Sequence, residues 1–226
     1  GLGVAPAMIA HGPGTLVTEW LPGDSPGLAT ITPQQAADLG RALARIHARV
    51  RSTTGDYDGW DAPAHHPDAY PRRRAGDIAA RAPPRGASGR RRGGDTAARA
   101  GGAPARAAPP DPAGGTFCLV HGDVWGGNVI WWDGLPRLVD WEFHRVGDPA
   151  EDLGYAAAMD DMPAPLVDAM LSGYGAPGLA SVVRWWRPLL ALDCADWFPR
   201  EGDAARANAL RTQAARLTGA EGPPAG

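Results

Sequence analysis

Lysine is absent: all 22 basic side chains of the 226 residues are arginines. Wherever the chain needs a cation it must use a wide planar guanidinium instead of a compact ammonium on a flexible stem. Only two cysteines occur, Cys118 in an apolar run and Cys194 in another, which excludes a disulfide framework and fits a reducing compartment. No apolar run is long enough to span a bilayer and no basic-then-apolar leader is present, so a cytoplasmic protein is expected. A formal net charge of −3 and a pI near 6.1 give no electrostatic case for a nucleic-acid or anionic-membrane partner. Glycine is plentiful at 31 residues, but those at 1, 3, 12 and 14 show no GxGxxG spacing, and no strand is expected before them. Large aliphatic side chains are missing from residues 71–115, where Ile78 stands alone among ten arginines and many Ala, Gly and Pro. Such a segment cannot bury enough apolar surface to offset its ordering entropy, and a low-order tract or a stretch read out of frame is expected there.

What is present concentrates in residues 117–152, FCLVHGDVWGGNVIWWDGLPRLVDWEFHRVGDPAED. The apolar runs 117–120, 129–132 and 135–139 read as short strands, with Asp133-Gly134 as the tight turn of a hairpin. Asp123 and Asn128 then fall in the loop before the hairpin, and Asp140 where its second strand ends. A loop ending in Asn and a strand ending in Asp can aim two oxygens at one hard cation, with Asp123 beside it. Asp, four residues, Asn is also the catalytic-loop spacing of kinase-type phosphoryl transfer, in which the Asp orients the acceptor hydroxyl and the Asn holds Mg²⁺.

HGDVWGGN, then LVDWE, then GDPAEDL, in this order, resembles the aminoglycoside phosphotransferase and choline kinase-like group, closely over residues 117–155 and more loosely over 14–50. The resemblance implies an α+β fold: a protein kinase-like C-terminal lobe, mostly helical, with a short catalytic β-hairpin. It also implies transfer of the γ-phosphoryl group of ATP or GTP to a hydroxyl of a small, possibly cationic molecule such as an aminoglycoside or amino alcohol. Asp123, Asn128 and Asp140 match the catalytic positions, with Asn128 and Asp140 as Mg²⁺ ligands. Glu19, Trp20 and Leu21 match the hinge whose backbone meets the adenine, although a core strand running into Pro22-Gly23 would explain them equally. Asp152 matches a carboxylate that braces the catalytic loop, and His121 a packing residue of that loop. With neither a strand lysine nor a glycine-rich loop, the N-terminal lobe is expected to be missing and the chain to be a fragment.

The rest of the chain reads as helices. Thr32 and Gln35 form a capping box, Pro33 opens the helix, and Ala36, Leu39, Leu43, Ile46 and Val50 share one face of residues 33–50. His47, one position off that face, reads as a buried structural histidine with no catalytic role. Asp148 and Pro149 start a helix, with Glu151 placed to close a capping box. Residues 166–174, 181–198 and 203–217 are expected as further helices, the second kinked at Pro188, with Trp185, Trp186 and Trp197 read as core in preference to a cation-π pocket. The expected division is 1–22 (end of the N-lobe and hinge), 23–70 (first part of the helical lobe), 71–115 (low order), 116–218 (catalytic loop, hairpin and helices) and 219–226 (flexible tail). Two alternatives remain open: a catalytically inactive remnant or binding module, and a metal hydrolase using His121, Asp123, Asp140 and His144.

Overall fold

In the two-residue turn Asp133-Gly134, φ is +52° and +71°, the left-handed pair that matches the twist of a tight antiparallel hairpin. It joins strands β5 (Val129–Trp132) and β6 (Leu135–Leu138), paired from Val129↔Leu138 to Trp132↔Leu135. The computed structural model describes residues 3–13, 15–49, 51–52 and 117–219. Segments from the start of the chain flank this hairpin: Leu138 N–H donates to Val4 O (2.7 Å), and Asp24 exchanges backbone hydrogen bonds with Trp131. A second hairpin, β1 (Met8–Gly12) with β2 (Thr15–Thr18), precedes it. A three-stranded antiparallel sheet runs β3 (Arg51–Ser52), β4 (Phe117–Val120), β7 (Arg145–Gly147).

Helix α1 (Pro33–His47) begins with the capping box that Thr32 and Gln35 make, and buries Ala36, Leu39, Leu43 and Ile46 along one stripe. It packs on β6 and, most closely, on α3 (Ala164–Tyr174). At that crossing the backbones touch. A Cβ on Gly40 would stand 2.0 Å from Met170 O, and one on Gly173 2.0 Å from Ala37 O, so only glycine fits either position. Helix α2 (Pro149–Met159) packs on α4 (Ala180–Ala195), which packs on α5 (Ala204–Leu217). The turn after α2 is tied down by the Asp161 carboxylate, which accepts from Arg187 of α4 and from Gln213 and Arg216 of α5. Among the described residues no helix is long and apolar enough to cross a membrane.

Several elements depart from expectation. The core strand expected to run into Pro22-Gly23 is confined to Thr15–Thr18, and a strand does precede it, β1, paired so that every residue of both is exposed. Strand β7 was hidden in sequence by its charged first residue and final glycine. It forms because β4 needs a partner on its second edge. Pro188 lies inside α4 without ending it, and α4 stops at Ala195, which leaves Trp197 beyond the helix and half exposed, whereas Trp185 and Trp186 are core. Glu151 carries the Arg145 guanidinium, while Asp148 caps α2 by accepting from Ala150 N–H (2.9 Å). Val50, the 71–115 tract and the tail after Gly219 lie outside the described residues.

Candidate active site

Strand β4 delivers the chain to a loop, His121 to Gly127, whose every turn is anchored by a different element. At its start, Asp152 on the first turns of α2, wholly buried, accepts from His121 N–H at Oδ2 (2.7 Å) and from Gly122 N–H at Oδ1 (2.8 Å). Burial pushes that carboxyl up, but the hydrogen bond and charge of His47, the charge of His121 and the Gly122 amide outweigh it and hold Asp152 below its ordinary value. Gly122 has φ +84°, and a Cβ there would press 2.4 Å from Phe143 O, so the turn requires glycine. In the middle, Gly126 N–H donates to Asp160 Oδ2 (2.7 Å) and the Ser25 hydroxyl donates to Gly126 O. At the end, a short 3-10 turn (Gly126–Asn128) leads into β5.

Both ring nitrogens of His121 are engaged. Its Nδ1 faces the Asp123 N–H (3.3 Å), which can only donate, and its Nε2 faces Val139 O (3.0 Å), which can only accept. The ring is therefore the neutral Nε2–H tautomer. Burial lowers its pKa against the pull of Asp152, the Val139 bond, Asp123 and Asp140. Both nitrogens are occupied, and Trp141 covers the ring at 4.5 Å between centroids.

Asp123, half-buried, is clasped by Asn128. The Asn128 Nδ2 group donates to Asp123 Oδ2 (2.7 Å) and to Asp123 O (3.0 Å), so both amide hydrogens are used and the carboxamide oxygen is the group left to accept. Burial first, then the charges of Cys194 and Asp123, push the phenol of Tyr155, on α2, well above its ordinary value. The hairpin register brings Asp140 alongside. Val139 N–H donates to Asn128 O (3.0 Å), so Asp140 is one residue from a cross-strand neighbour of Asn128. Asp140 is exposed and adopts φ +62°, which a β-carbon tolerates poorly. One carboxamide oxygen and one carboxylate at the open end of a hairpin suit a magnesium ion that keeps its remaining positions for water and phosphate oxygens.

The four-residue metal site of the hydrolase alternative does not assemble. Among the described residues no three His, Cys, Asp or Glu side chains converge on a common point, and His144 Nδ1 is taken by Trp141 O. The expected hinge leaves β2 with Glu19 N–H donating to Ala7 O (2.9 Å), Trp20 extended into solvent and Leu21 buried. Through Asp24 this segment is fastened to β5, the strand that follows Asn128. Asp160 escaped the sequence reading, and so did the partner of His47, which is buried as expected and places Nε2 3.1 Å from Asp152 Oδ2. Asp160 is in turn approached by Arg206, whose guanidinium lies between the Trp125 and Phe198 rings at 5.2 and 5.1 Å. Asp160 sits in no motif; only an Asp-Asp pair after α2 hinted at it.

The sequence pattern of the phosphotransferase enzyme family, APH, matches residues 2–189. Viomycin phosphotransferase of Streptomyces vinaceus is 38% identical over 93 residues, a match covering 39% of this chain and 32% of that protein, so the chain spans about a third of the curated relative it resembles. Choline kinase LicA from Streptococcus pneumoniae shares the fold at TM-score 0.60 and 13% identity, over 97% of this chain and 76% of the other. Macrolide 2′-phosphotransferase MphH from Brachybacterium faecium does so at 0.54 and 19%, over 98% and 74%. A choline/ethanolamine kinase family protein from Mesorhizobium loti does so at 0.56 and 17%, over 99% and 75%. With a loop, a hairpin and a family pattern that coincide, the chain belongs to the phosphotransferase enzyme family.

Proposed function

We propose that the chain transfers the γ-phosphoryl group of ATP or GTP to a hydroxyl of a small molecule of the aminoglycoside or amino-alcohol kind. The observation carrying this reading is the 2.7 Å hydrogen bond from Asn128 Nδ2 to Asp123 Oδ2. It holds a carboxylate at the open end of a braced loop with lone pairs to spare for an acceptor hydroxyl. The hydroxyl oxygen attacks the γ-phosphorus, the bond to the β,γ-bridging oxygen breaks, the nucleoside diphosphate leaves, and the hydroxyl proton passes late to Asp123. Mg²⁺, held by the Asn128 carboxamide oxygen and the Asp140 carboxylate, would neutralise phosphoryl charge when bound. His121 and Asp152 keep the loop in shape, and the segment Glu19 to Leu21 seats the nucleotide base. With no lysine in the chain, the cation facing the phosphates is an arginine or belongs to residues outside 1–226, in line with a fragment of a longer enzyme. Cys118 and Cys194 are buried and not joined in a disulfide, in keeping with a reducing compartment.

The test is nucleoside diphosphate release from ATP and GTP with viomycin, an aminoglycoside, a macrolide and choline offered in turn, on this chain and on one with any in-frame upstream segment restored. Asp123→Asn is expected to lower turnover by about 10²–10⁴-fold while Mg-nucleotide binding stays within twofold. If Asp123→Asn also loses binding, or turns over normally, the carboxylate is not the hydroxyl's base.

A further inference from the structure

Trp125-Gly126-Gly127, in the middle of HGDVWGGN, takes no direct part in the proposed transfer, yet space is tight around all three residues. Gly126 is buried, and both of its backbone groups are bonded from outside the loop: N–H donates to Asp160 Oδ2 (2.7 Å), at the end of α2, and O accepts from the Ser25 hydroxyl. A Cβ on Gly126 would stand 2.8 Å from Pro26 O, and one on Gly127 2.4 Å from Trp125 Cη2. The second glycine thus leaves room for the indole to fold over the turn. There the Arg206 guanidinium lies over the Trp125 ring at 5.2 Å and over the Phe198 ring at 5.1 Å. We propose that Asp160 and Arg206 are positioning residues of the turn Gly126–Asn128: Asp160 fixes the Gly126 amide, Arg206 holds Asp160, and the start of α5 thereby sets how Asn128 meets Asp123. This rests on the reading of Asn128 as the residue that grips Asp123 and holds Mg²⁺.

The turn is short enough to pass the hold on. Asn128 N–H donates to Trp125 O (2.8 Å) and Val129 N–H to Gly126 O, so a single 3-10 turn separates the amide that Asp160 holds from the Asn128 side chain. Arg206 stands 3.9 Å from Asp160 Oδ1, beyond hydrogen-bond reach, so the ion pair alone does not place it. Flat contact with two rings does, together with the Met159 carbonyl that accepts from its guanidinium (3.3 Å). Its backbone is placed by the helix start, where Asp203 accepts from Arg206 N–H (2.9 Å).

Three distant stretches therefore converge on Gly126: residues 25–27, the end of α2 and the start of α5. The neighbouring Asp161, bonded to Arg187, Gln213 and Arg216, fastens the backbone of the same turn independently. Loss of Arg206 should then loosen the Asp160 carboxylate without releasing it. Asp152 secures the first amides of the loop and Asp160 its centre, so the two holds are separable.

The experiment is backbone amide hydrogen exchange on the full chain for Asp160→Ala, Asp160→Asn, Arg206→Ala and Arg206→Lys, with the amides of α1 as a remote reference, joined to calorimetry of ADP binding with and without Mg²⁺. In Asp160→Ala the Gly126 and Asn128 amides should exchange about tenfold faster beyond any change in α1, the loss of roughly one hydrogen bond, while Gly122 keeps pace with α1. Asp160→Asn, which keeps an acceptor oxygen, should restore most of that protection. Both Arg206 variants should show a smaller acceleration, about threefold, because an ammonium keeps the charge but not the flat stacking. In Asp160→Ala, ADP affinity without Mg²⁺ should stay within about twofold, while the gain that Mg²⁺ confers falls about tenfold, as for other groups that orient a metal ligand. If Gly126 and Asn128 speed up only in step with α1, or if Asp160→Asn exchanges as fast as Asp160→Ala, the carboxylate is merely packing and the proposal falls. It falls equally if both Arg206 variants leave Gly126 as protected as before. Should Asp160→Ala not fold, the Arg206 variants carry the test on the same amides. Local exchange as described with an unchanged Mg²⁺ gain overturns the positioning of Asn128. An unaltered chain whose ADP affinity gains nothing from Mg²⁺ removes the metal reading, and local exchange as described then leaves the hold on the turn standing.

Discussion

Among the described residues two antiparallel hairpins of nearly equal size are built to opposite ends. In β5–β6 the residues Val129, Trp131, Pro136 and Leu138 are buried, Val4 and Asp24 flank the strands, and α1 packs on β6. In β1–β2 every residue faces solvent, including Met8, Ile9 and Leu16, each more than 60% exposed. A two-stranded hairpin alone is barely stable in water, so its order must come from what packs on it. The first hairpin inherits the order of the helical core and can hold Asn128 and Asp140 to a fixed geometry; the second has only its own ladder and the Glu19–Ala7 bond at its base. The proposed magnesium ligands lie on the braced one.

Breaking the brace should therefore cost far more than breaking the free hairpin. Asp152→Ala leaves two buried amides and a buried histidine without their acceptor, and a loss of about 3–5 kcal/mol is expected. Ile9→Ser, at an exposed position of β1, should change stability by no more than about 0.5 kcal/mol. Urea unfolding of both variants measures the difference. Equal losses would mean that β1–β2 is supported as firmly as β5–β6, and the contrast would fail.

The braced half was also the more legible. Strands 117–120 and 129–132, the Asp133-Gly134 turn and the Thr32–Gln35 cap were readable because each is written within a few adjacent residues: β-branched and aromatic runs, a left-handed turn pair, a hydroxyl three residues before an amide. Asp123, Asn128 and Asp140 were proposed from a spacing; Asn128 grips Asp123, and the hairpin register puts Asp140 next to Val139, which pairs with Asn128. What could not be read was pairing across distance. Strand β7 exists only as the second neighbour of β4, and His47 gains a role only when a residue 105 positions later arrives. Periodicity reports that a face is buried, not against which atom. Trp197 looked like core because helical spacing was continued past Ala195, where α4 ends.

A smaller effect separates two carboxylates that start the same helix. Asp148, 1% exposed, is desolvated and its carboxyl is pushed up from 3.8 to about 6, despite the Ala150 amide and the Trp186 indole (3.2 Å). A group raised on folding contributes stability that is complete below pH 3.8 and is lost as the pH rises through about 6. Asp152, lowered on folding, does the reverse, losing its contribution as the pH falls through its folded value. In Asp148→Asn the decline of stability between pH 4 and 7 should flatten by up to about 3 kcal/mol, the full shift at 1.36 kcal/mol per unit. Thermal unfolding across that range reads it; an unchanged slope would mean that Asp148 is ionised without penalty.

The finest distinction lies at Asp140, where the braced hairpin ends in φ +62°. Holding a residue with a β-carbon in the left-handed region costs about 1–2 kcal/mol, somewhat less for aspartate, whose side chain bonds locally. Glycine removes that cost but loses about 0.4–1 kcal/mol through the greater freedom of the unfolded chain. Asp140→Gly should therefore stabilise the fold by only about 0.5 kcal/mol, while Asp140→Ala, which keeps the strain and loses the carboxylate, should not stabilise it at all. Both should weaken Mg-nucleotide binding alike, measured by calorimetry with and without Mg²⁺. A variant that is more stable and binds less would establish that the backbone is held in an unfavourable conformation because a carboxylate is needed there. If Asp140→Gly instead destabilises the fold while binding persists, the turn is structural and the magnesium ligand must be sought elsewhere on the loop.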